Sequence, residues 1–538
     1  MLAMNKKTLI YLPIIIAFSI TLGMWIEKYF FDNFIESYLK FDSADIDNST
    51  LTASEKLQSI LYHIENDYVD TINHDSLIDK AIISLLQQLD PHSIYIPPTD
   101  FDEMNDPLEG EFDGIGVEFS IQQDTIVIMN TIIGGPSEKL GLMAGDRMVK
   151  VNDSIVAGVG ITNNKVIKLL KGPRGTKVKI HIKRNKLKDL LTFTITRDKI
   201  PMHSIDAYML LSKEVGYIKI ARFAKTTPEE FHKALNNLIK QGMKQLIVDV
   251  RGNGGGYMDA AITITDEFLK KGELIVYTEG KSQPKREYRA TEFGIAEDIK
   301  LAILIDEWSA SASEIFAGAI QDNDRGYIIG RKSFGKGLVQ EPIEFNDGSS
   351  IRLTIARYHT PSGRCIQRSY KTNYEKYYTN LFFRSDSIDS IEIKNAPKFY
   401  TLKGRTVYGN GGITPDIIVD INNKNIPEFF FKLANQSIIY QFAFTYSDKN
   451  RAFLSTFKSW KELDNFLLKS DIYNEFINYS NTQGIKSTKE EKDKAQDIIL
   501  NHLRAFIVRN IFNDEGFYSI ILERDETYLK ALEIFKKN

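Results

Sequence analysis

The spacing of apolar residues changes several times along this chain, and each change predicts a different kind of element. Residues 51–89 carry apolar side chains at helical spacing, and the polar segment 90–93 ends that helical region. From Gly110 the pattern shifts to short alternating runs between glycine-rich turns, which predicts strands. Beyond Asn425, apolar and aromatic residues again recur every three or four positions. That final stretch therefore predicts a helical carboxyl-terminal module.

Residues 199–424 alternate between continuous apolar runs and stretches in which apolar residues have helical spacing. Strands that are apolar on both faces, with helices between them, are typical of a largely parallel sheet covered on both sides. The sequence therefore predicts an α/β core within a chain that is mixed α+β overall. The apolar runs are 245–250, 274–277 and 301–305, and the helical stretches are 228–240 and 259–269.

An uncharged apolar stretch lies near the amino terminus. Two lysines precede residues 8–26, which contain no charged side chain. As a helix, this stretch would span roughly 28 Å, about the thickness of a bilayer core. We expect residues 1–30 to form an uncleaved anchor that passes once through the inner membrane, with residues 31–50 as a tether. Because basic flanks stay in the cytoplasm, the chain after residue 30 is expected in the periplasm. A cleaved signal peptide is the alternative.

Composition narrows the class of protein. The chain has 538 residues, of which 43% are hydrophobic and 26% are charged, so we expect several globular modules. The formal net charge of −3 gives no indication of nucleic-acid binding. Cys365 is the single cysteine, which excludes an intramolecular disulfide and a multi-cysteine metal site. No metal and no organic cofactor is expected.

Candidate chemistry lies in a serine and a lysine. Ser311 stands in a run of small residues before an apparent helix, and Lys336 follows between two glycines. A serine hydroxyl needs a base to take its proton, and a lysine amine is a base only when burial lowers its pKa. Taken singly, Ser311 has the ordinary interpretation of a helix cap and Lys336 that of a solvated loop residue. Taken together, the pair indicates a Ser-Lys hydrolase.

Residues 109–198 resemble a PDZ domain. Short strands are predicted at 125–130, 178–182 and 191–195, with a short helix at 166–170. Such domains add a bound peptide as an extra strand and hold its terminal carboxylate with backbone N–H groups. By this resemblance, the carboxylate loop consists of Gly114, Ile115 and Gly116. A small β-barrel without a ligand is the alternative.

Five sequence blocks between residues 249 and 364 together resemble the carboxyl-terminal processing proteases, which are PDZ-containing serine peptidases with a Ser-Lys centre. The blocks occur in the order of that family, and the resemblance extends over about residues 51–420. They are Asp-Val-Arg-Gly-Asn-Gly-Gly-Gly at 249–256, Ser-Ala-Ser-Ala-Ser-Glu at 309–314, Gln-Asp at 321–322, Phe-Gly-Lys-Gly at 334–337 followed by Gln340, and Thr-Pro-Ser-Gly-Arg at 360–364.

The resemblance implies a ClpP/crotonase-like protease core with an inserted PDZ domain and helical modules at both ends. Its implied boundaries are 51–108 for the amino-terminal helical region, 109–198 for the PDZ domain, 199–424 for the Ser-Lys peptidase core and 425–538 for the carboxyl-terminal module.

The resemblance also assigns roles to individual residues. Ser311 is the nucleophile, because it lies three residues before Glu314 and twenty-five before Lys336, as in the family. Lys336 is the general base, and Gln340 orients its amine. The oxyanion hole is assigned to the backbone N–H groups of Ala312 and Gly256, while Glu314 and Asp322 are interpreted as structural.

Three rival interpretations use the same region. Residues 330–337 nearly match a phosphate-binding loop, but Gly337 replaces the hydroxyl residue that would hold magnesium. His359 is a candidate for a histidine-based triad, although no G-x-S-x-G motif surrounds any serine. A catalytically silent peptide-binding scaffold of the same fold is the third.

These observations predict a membrane-anchored, exported serine endopeptidase that recognises apolar carboxyl termini of proteins or peptides. The membrane is a predicted partner through the amino-terminal helix, and a regulatory adaptor or a second copy of the chain is a further possible partner. No nucleic-acid partner is expected.

Overall fold

The computed structural model describes residues 51–184, 187–370, 377, 396–420, 426–512 and 514–537. The predicted anchor and tether, residues 1–50, lie outside these ranges. In the described part of the chain, no helix is both long enough and apolar enough to cross a bilayer. The chain divides into two compact units, Met1–Ile78 and Asp79–Asn538, and the second contains all the candidate site residues.

Helices dominate both ends of the described chain and alternate with strands in its middle. In chain order they are α1 (Ala53–Asp67), α2 (His74–Gln87), α3 (Phe101–Glu109), α4 (Pro136–Lys139), α5 (Asn163–Leu170), α6 (Thr227–Lys240), α7 (Met258–Asp266), α8 (Ala312–Asp322), α9 (Glu428–Asn435), α10 (Ile438–Leu454), α11 (Trp460–Lys469), α12 (Ile472–Thr482), α13 (Lys489–Ile511), α14 (Asp514–Ile521) and α15 (Glu526–Lys537).

The strands all lie between residues 94 and 418 of the described chain. They are β1 (Ile94–Ile96), β2 (Glu111–Gly114), β3 (Val117–Gln122), β4 (Thr125–Thr131), β5 (Arg147–Val151), β6 (Ser154–Ile155), β7 (Lys177–Lys183), β8 (Leu191–Thr196), β9 (Asp198–Pro201), β10 (Ile205–Leu210), β11 (Val215–Ile220), β12 (Gln245–Asp249), β13 (Leu274–Glu279), β14 (Arg286–Arg289), β15 (Lys300–Ile305), β16 (Tyr327–Gly330), β17 (Leu338–Glu344), β18 (Ser350–His359), β19 (Lys398–Tyr400), β20 (Thr406–Tyr408) and β21 (Ile417–Ile418).

Helices α1 and α2 confirm the predicted helical region at 51–89. A capping box starts α1, because Thr52 and Glu55 each accept a backbone N–H of the other. After α2 the chain turns at Asp90, whose carboxylate accepts the N–H groups of His92 and Ser93, both at 2.8 Å. This side-chain-capped turn explains why the helical pattern stops at residue 90.

A sheet with the order β10-β11-β12-β15-β16-β21 forms the centre of the second unit. Strands β11, β12, β15, β16 and β21 run parallel, and β10 is antiparallel to β11. In β12 and β15, nearly every residue is buried, as expected for strands covered on both faces. The predicted, largely parallel sheet is therefore confirmed.

Helices cover both faces of this sheet. On one face, α6, α7 and α8 bury apolar residues such as Phe231, Ile264 and Phe316. On the other face, α15 and the turn before it contribute residues such as Leu522 and Phe535. The carboxyl ends of β12 and β15 lead directly into the glycine block at 252–256 and into the turn that begins α8. The glycine block and the turn that contains Ser311 therefore lie at the same edge of the sheet.

A second sheet has the order β1-β18-β13-β14, and β17 also pairs with β18. Strands β17 and β18 are antiparallel from the pair Leu338–Arg357 to the pair Glu344–Ser350. Strand β1 joins β18 through the pair Ile94–Arg352. The turn at residues 90–93 is thereby held next to β18, which also pairs with β17, the strand that follows Lys336.

The small β-domain, residues 111–201, is inserted between α3 and the central sheet. The antiparallel pair β2 and β9 closes it at its base. Its sheet has the order β3-β4-β5-β7-β8, with β6 on β5, and α5 packs against the sheet through Val166 and Leu170. The predicted strands at 125–130, 178–182 and 191–195 and the helix at 166–170 are all confirmed.

The carboxyl-terminal module, residues 426–537, contains α9–α15 and has an apolar core of its own. It also contacts both neighbouring parts of the second unit. Phe444 packs against Val127 of the small β-domain, with Asp448 in an ion pair of 3.0 Å with Arg147. On the central sheet, Asp525 pairs with Arg251 at 2.7 Å. The predicted helical module is confirmed.

Candidate active site

Ser311 stands immediately before α8, with backbone angles φ 54° and ψ −111°. A positive φ is rare for a residue with a side chain and costs free energy that the surroundings must supply. Asn253 helps to hold this turn, because its carbonyl accepts the Ala310 N–H at 3.0 Å and the Ser313 hydroxyl at 2.9 Å. The glycine block thus positions the serine turn through direct hydrogen bonds.

Gly255 packs against this turn so closely that no side chain fits. A Cβ atom at this position would lie 2.8 Å from the Ser311 Cβ and 3.0 Å from the Ala312 backbone nitrogen. The Gly255 N–H donates to the Asn253 side chain at 2.8 Å, so it is not a free donor. Gly256 follows and lines the same cavity as Ser311. The assignment of Gly256 and Ala312 to an oxyanion hole stays a prediction, with both residues adjacent to the serine turn.

Lys336 lies on the wall of this cavity, and its Nζ donates to the Gln340 Oε1 at 2.8 Å. Burial, together with the positive charge of Arg352, lowers the pKa of the Lys336 amine to about 8. The carboxylates of Asp90 and Glu314 oppose these effects. A substantial fraction of this amine is therefore neutral near pH 8.

Glu314 links the serine turn to the lysine loop. Its buried carboxylate accepts the backbone N–H groups of Ser311 at 2.9 Å, Gly335 at 2.7 Å and Lys336 at 2.8 Å, and also the Ser333 hydroxyl. Burial raises the pKa of Glu314, and although the four hydrogen bonds oppose that rise, the pKa is still about 7. From the sequence, Glu314 is interpreted as structural. In the structure its carboxylate also joins the two candidate catalytic segments, because it accepts N–H groups from both Ser311 and Lys336.

Tyr358 is a second link between the two segments. Its buried hydroxyl lies 2.6 Å from the carbonyl oxygen of Lys336 and 3.1 Å from that of Ser311. The hydroxyl comes from β18, forty-seven residues after the serine. No motif pointed to this tyrosine in the sequence, because its role depends on the sheet pairing rather than on local spacing.

His92 holds Gln340 through its backbone. The His92 carbonyl accepts the Gln340 Nε2, which leaves the Gln340 Oε1 for Lys336. The His92 ring is buried beside Phe334 and lies 2.9 Å from the Tyr377 hydroxyl through its Nε2. Burial lowers the pKa of His92 to about 3, so the ring is neutral at physiological pH. The His92 ring therefore packs in the interior, and the His92 carbonyl orients the glutamine.

A cavity of about 630 Å³ contains the candidate catalytic side chains. Helix α3 forms one of its walls, and β17 and β18 form another. Among the lining residues are Ser311, Lys336 and Gln340 together with Gly254–Gly256, Ile315, Leu338, Arg352 and Tyr358. The structure therefore brings together the predicted serine, lysine and glutamine, which are spread over thirty positions of sequence.

The phosphate-loop alternative does not fit the hydrogen bonding of residues 330–337. The N–H groups of Gly335 and Lys336 donate to the Glu314 carboxylate, and that of Gly337 donates to a glutamine side chain. A phosphate-binding loop instead leaves such N–H groups for the phosphate oxygens. A buried carboxylate already occupies the place that the anion would need.

The histidine alternative also finds no support. The His359 ring stacks on Tyr277, with ring centres 4.7 Å apart and planes within 3° of parallel. His359 is not among the residues that line the cavity. In the part of the chain that the model describes, it is a packing residue.

A separate groove of about 210 Å³ lies on the small β-domain. The predicted carboxylate loop, Gly114 to Gly116, lines one end of it, and the walls are mainly apolar. The single charged residue in its lining is Lys171, whose Nζ pairs with Asp106 of α3 at 2.7 Å. The other lining residues are Phe112, Val117, Phe119, Ile167, Leu170 and Met202.

Comparison with known proteins identifies two regions. Residues 214–375 match peptidase family S41, and residues 429–513 match a family of unknown function, DUF8443. The chain is 33% identical over 329 residues to the carboxy-terminal processing protease CtpB of Bacillus subtilis, which covers 61% of this chain and 68% of that protein. It is also 33% identical over 325 residues to the carboxy-terminal-processing protease of Bartonella bacilliformis, covering 60% and 74%.

Two solved structures are also similar. One is the photosystem II D1 C-terminal processing protease, at 25% identity and a TM-score of 0.37, covering 69% of this chain and 87% of that one. The other is the PDZ domain of a carboxy-terminal protease from Vibrio cholerae, at 34% identity and a TM-score of 0.16, covering 17% and 97%.

The fold and the sequence comparisons define a serine-type peptidase with the S41 domain. The chain belongs to the carboxy-terminal processing proteases. The family resemblance drawn from the five sequence blocks is confirmed.

Proposed function

We propose that this protein is an exported endopeptidase in which Ser311 is the nucleophile and Lys336 is the general base. One observation carries the proposal: a desolvated lysine amine, with its pKa lowered to about 8, lines the same cavity as a serine held in a strained turn. Lowered lysine pKa values are characteristic of catalytic bases. The bridging carboxylate of Glu314 supports the pairing, because it ties the backbone of both residues to one group.

In the acylation step, the Ser311 Oγ–H transfers its proton to the neutral Lys336 Nζ as Oγ attacks the scissile carbonyl carbon. Gln340 accepts one N–H of the lysine, which restricts the orientation of the amine and leaves its lone pair for the serine proton. The N–H groups of Ala312 and Gly256 donate to the oxyanion of the tetrahedral intermediate. The Lys336 ammonium then protonates the leaving amine, the C–N bond breaks, and an acyl ester remains on Ser311.

Deacylation uses the same groups in reverse order. Lys336, neutral again, takes a proton from a water molecule, and the hydroxide attacks the ester carbonyl. The second tetrahedral intermediate collapses with cleavage of the C–Oγ bond, and the lysine returns its proton to Ser311. The product is a protein with a new carboxyl terminus, and the enzyme regains its starting protonation state.

We further propose that the small β-domain captures substrates by an apolar carboxyl-terminal segment. The groove next to β3 and α5 is apolar, which suits a peptide added as an extra strand. The loop from Gly114 to Gly116 lies at its end, where backbone N–H groups would meet a terminal carboxylate. Peptides of increasing carboxyl-terminal apolarity should bind with decreasing Kd, and equal affinity for a matched polar peptide would contradict this part of the proposal.

For location, we propose that residues 1–30 anchor the enzyme in the inner membrane with the peptidase on the periplasmic side. The uncharged run at 8–26 and the two lysines before it motivate this orientation. Protease added outside spheroplasts should degrade the enzyme, and resistance with intact inner membranes would reject the orientation. A mature protein that lacks residues 1–30 would favour the signal-peptide alternative.

The catalytic proposal is tested by comparing the wild type with Ser311→Ala and Lys336→Ala. Mass spectrometry of an apolar-tailed protein substrate should detect shortened carboxyl termini only with the wild type. In cells, Ser311→Ala should cause exported proteins with longer carboxyl termini to accumulate. Wild-type turnover by either variant would reject the assigned role, and absence of turnover by the folded wild type on a broad substrate set would favour the silent scaffold.

A further inference from the structure

Arg352 occupies the catalytic cavity but has no place in the proposed chemistry. It lies on β18 directly opposite Pro342 of β17, and Gln340 lies two residues before that proline. Alternate residues of a strand share one face, and Gln340, Pro342 and Arg352 all line the cavity. The guanidinium is therefore a short distance along the same wall from the glutamine that holds Lys336.

The hydrogen bonding of Arg352 is incomplete for a guanidinium. Its Nη2 donates to the carbonyl of Met104 at 3.2 Å and to the side-chain oxygen of Asn105 at 2.5 Å. Both acceptors are neutral, and among the described residues its Nε and Nη1 donate to no protein group. In that same part of the chain, no carboxylate lies within ion-pair distance of Arg352.

Two other arginines of the second unit provide the contrast. Arg364 is fully buried and pairs with Asp322 at 2.7 Å, and Arg251 pairs with Asp249 at 2.6 Å. Each of these guanidiniums therefore has its charge compensated inside the protein, as desolvated cations usually have. Arg352 is half-buried in the cavity without such a partner, and its free nitrogens are available to a ligand.

The cavity also contains four carboxylates, and none of them compensates Arg352. Asp106 pairs with a lysine at 2.7 Å, and Glu109 accepts from Tyr257 at 2.7 Å and from a lysine at 3.1 Å. Asp102 and Glu344 are exposed at the cavity rim. A substrate carboxylate that enters the cavity would meet in Arg352 a permanently charged cation with unused donors.

We propose that Arg352 is a specificity residue that binds a carboxylate of the substrate peptide within the cleavage cavity. A planar guanidinium with free donors suits a carboxylate, which accepts two parallel hydrogen bonds. The carboxylate has two possible sources, the free terminus of the chain or an Asp or Glu side chain near the cleaved bond. The inference rests on the proposed function, because it assumes that peptide is cleaved at Ser311.

The test uses the full-length enzyme and three peptides of the same apolar sequence. One ends in a free carboxylate, one ends in a carboxamide, and one ends in a carboxamide with a single internal Gln replaced by Glu. The values of kcat/KM are measured for the wild type, Arg352→Gln and Arg352→Lys. Since Arg352 also affects the pKa of Lys336, only ratios between peptides within one enzyme are compared, because general effects on catalysis cancel.

We expect the wild type to prefer at least one of the two carboxylate-bearing peptides over the carboxamide peptide that lacks the Glu by roughly tenfold or more, as for a hydrogen-bonded charge. In Arg352→Gln this preference should fall to about twofold or less, and Arg352→Lys should retain part of it. The peptide that carries the effect identifies the source of the carboxylate. A preference that persists unchanged in Arg352→Gln would overturn the inference and assign it to the small β-domain instead.

Two controls keep the result decisive. Equal kcat/KM values for all three peptides in the wild type would overturn the inference. This measurement needs no variant, so the test remains valid even if Arg352→Gln does not fold. Ser311→Ala separates the two levels of the argument. Turnover by Ser311→Ala would reject the proposed function, whereas an inactive Ser311→Ala with an unchanged peptide ratio in Arg352→Gln would reject the role of Arg352 alone.

Discussion

The catalytic cavity and the groove of the small β-domain are both pockets, but they are built in opposite ways. The cavity takes its walls from segments between Phe101 and Tyr358 and holds charged groups against buried hydrogen-bond partners. The groove is formed within one compact domain and is mainly apolar, with Lys171 as its one charged lining residue. The first arrangement fixes atoms for chemistry, and the second supplies apolar contact area.

This difference predicts which kinetic constant, kcat or KM, a substitution in each pocket changes. Groups that act on the reacting atoms should change kcat, because their interactions strengthen only in the transition state. Groups that only hold the peptide contact it equally in ground and transition states, so their loss should raise KM. A substitution in the groove that strongly lowers kcat would therefore contradict this division of roles between the two pockets.

The largest effect is expected for Ser311→Ala and Lys336→Ala. Each should lower kcat by roughly 10⁴-fold or more, because each removes a partner of the proposed proton transfer. The Tm should stay within a few degrees of the wild type, since each substitution only shortens a side chain at the cavity wall. Lys398→Ala, at an exposed lysine of β19, is the matched control and should keep wild-type kcat. Comparable losses in that control would mean that the assay reports stability rather than catalysis.

The pH dependence should give the next largest effect. In the proposed mechanism the neutral form of Lys336 is the active one, so kcat/KM should rise with pH and level off above a pKa of about 8. Between pH 9 and pH 6 the rate should fall by roughly a hundredfold, since the neutral fraction falls tenfold per unit below the pKa. His92, with a pKa of about 3, is uncharged throughout this range. A flat profile in the chemical step would remove Lys336 as the base.

Arg352 offers a way to sharpen that measurement. Its charge helps to lower the pKa of Lys336, so Arg352→Gln should move the rising limb to higher pH. The carboxylates of Asp90 and Glu314 act in the opposite direction, so Asp90→Asn should move the limb to lower pH. Shifts of the same sign in both variants would indicate that another group controls the profile.

Glu314→Gln should have an intermediate effect on activity. The amide keeps the shape of the carboxylate but presents an NH₂ group to N–H donors, so part of the network around Ser311 and Lys336 is lost. We expect kcat to fall roughly ten- to a hundredfold, as for a small displacement of catalytic groups. The free energy of unfolding should fall by about 1–3 kcal/mol. Denaturant unfolding and kcat measured on the same samples check both expectations.

From the sequence, only those residues of the candidate site that lie in local motifs could be predicted. The blocks around Ser311, Lys336 and Gln340 have spacings that are readable without a structure, and the model brings all three to one cavity. The contact of Gln340 with the His92 carbonyl joins residues 248 positions apart. It depends on the pairing of β1 with β18, which the apolar pattern of a three-residue strand does not specify.

The same physical limit applies to Glu314 and Arg352. From the sequence Glu314 is interpreted as structural, and in the structure its carboxylate accepts the Ser311 N–H at the start of α8. Its three contacts to residues 333–336 depend on tertiary packing and left no local pattern. Arg352 reads in sequence as an ordinary polar residue of an alternating strand. Helices and strands could be predicted from the periodicity of apolar residues. The contacts of Glu314 and Arg352 could not, because they depend on which distant segments the sheets bring together.

The smallest effect is expected in the groove. Ile167 of α5 is half-buried and lines the groove, so Ile167→Ala removes apolar contact that a bound peptide would cover. The loss of part of a side chain should weaken binding by about 1–1.5 kcal/mol, which raises KM roughly tenfold at unchanged kcat. Lys168→Ala, at the exposed neighbouring position, is the matched control and should leave KM unchanged. The effect should also disappear for peptides with a polar carboxyl terminus, which have no apolar side chain to place there. If Ile167→Ala instead lowers kcat at saturating substrate, the groove takes part in setting the catalytic arrangement, and the division between a pocket for chemistry and a pocket for binding is wrong.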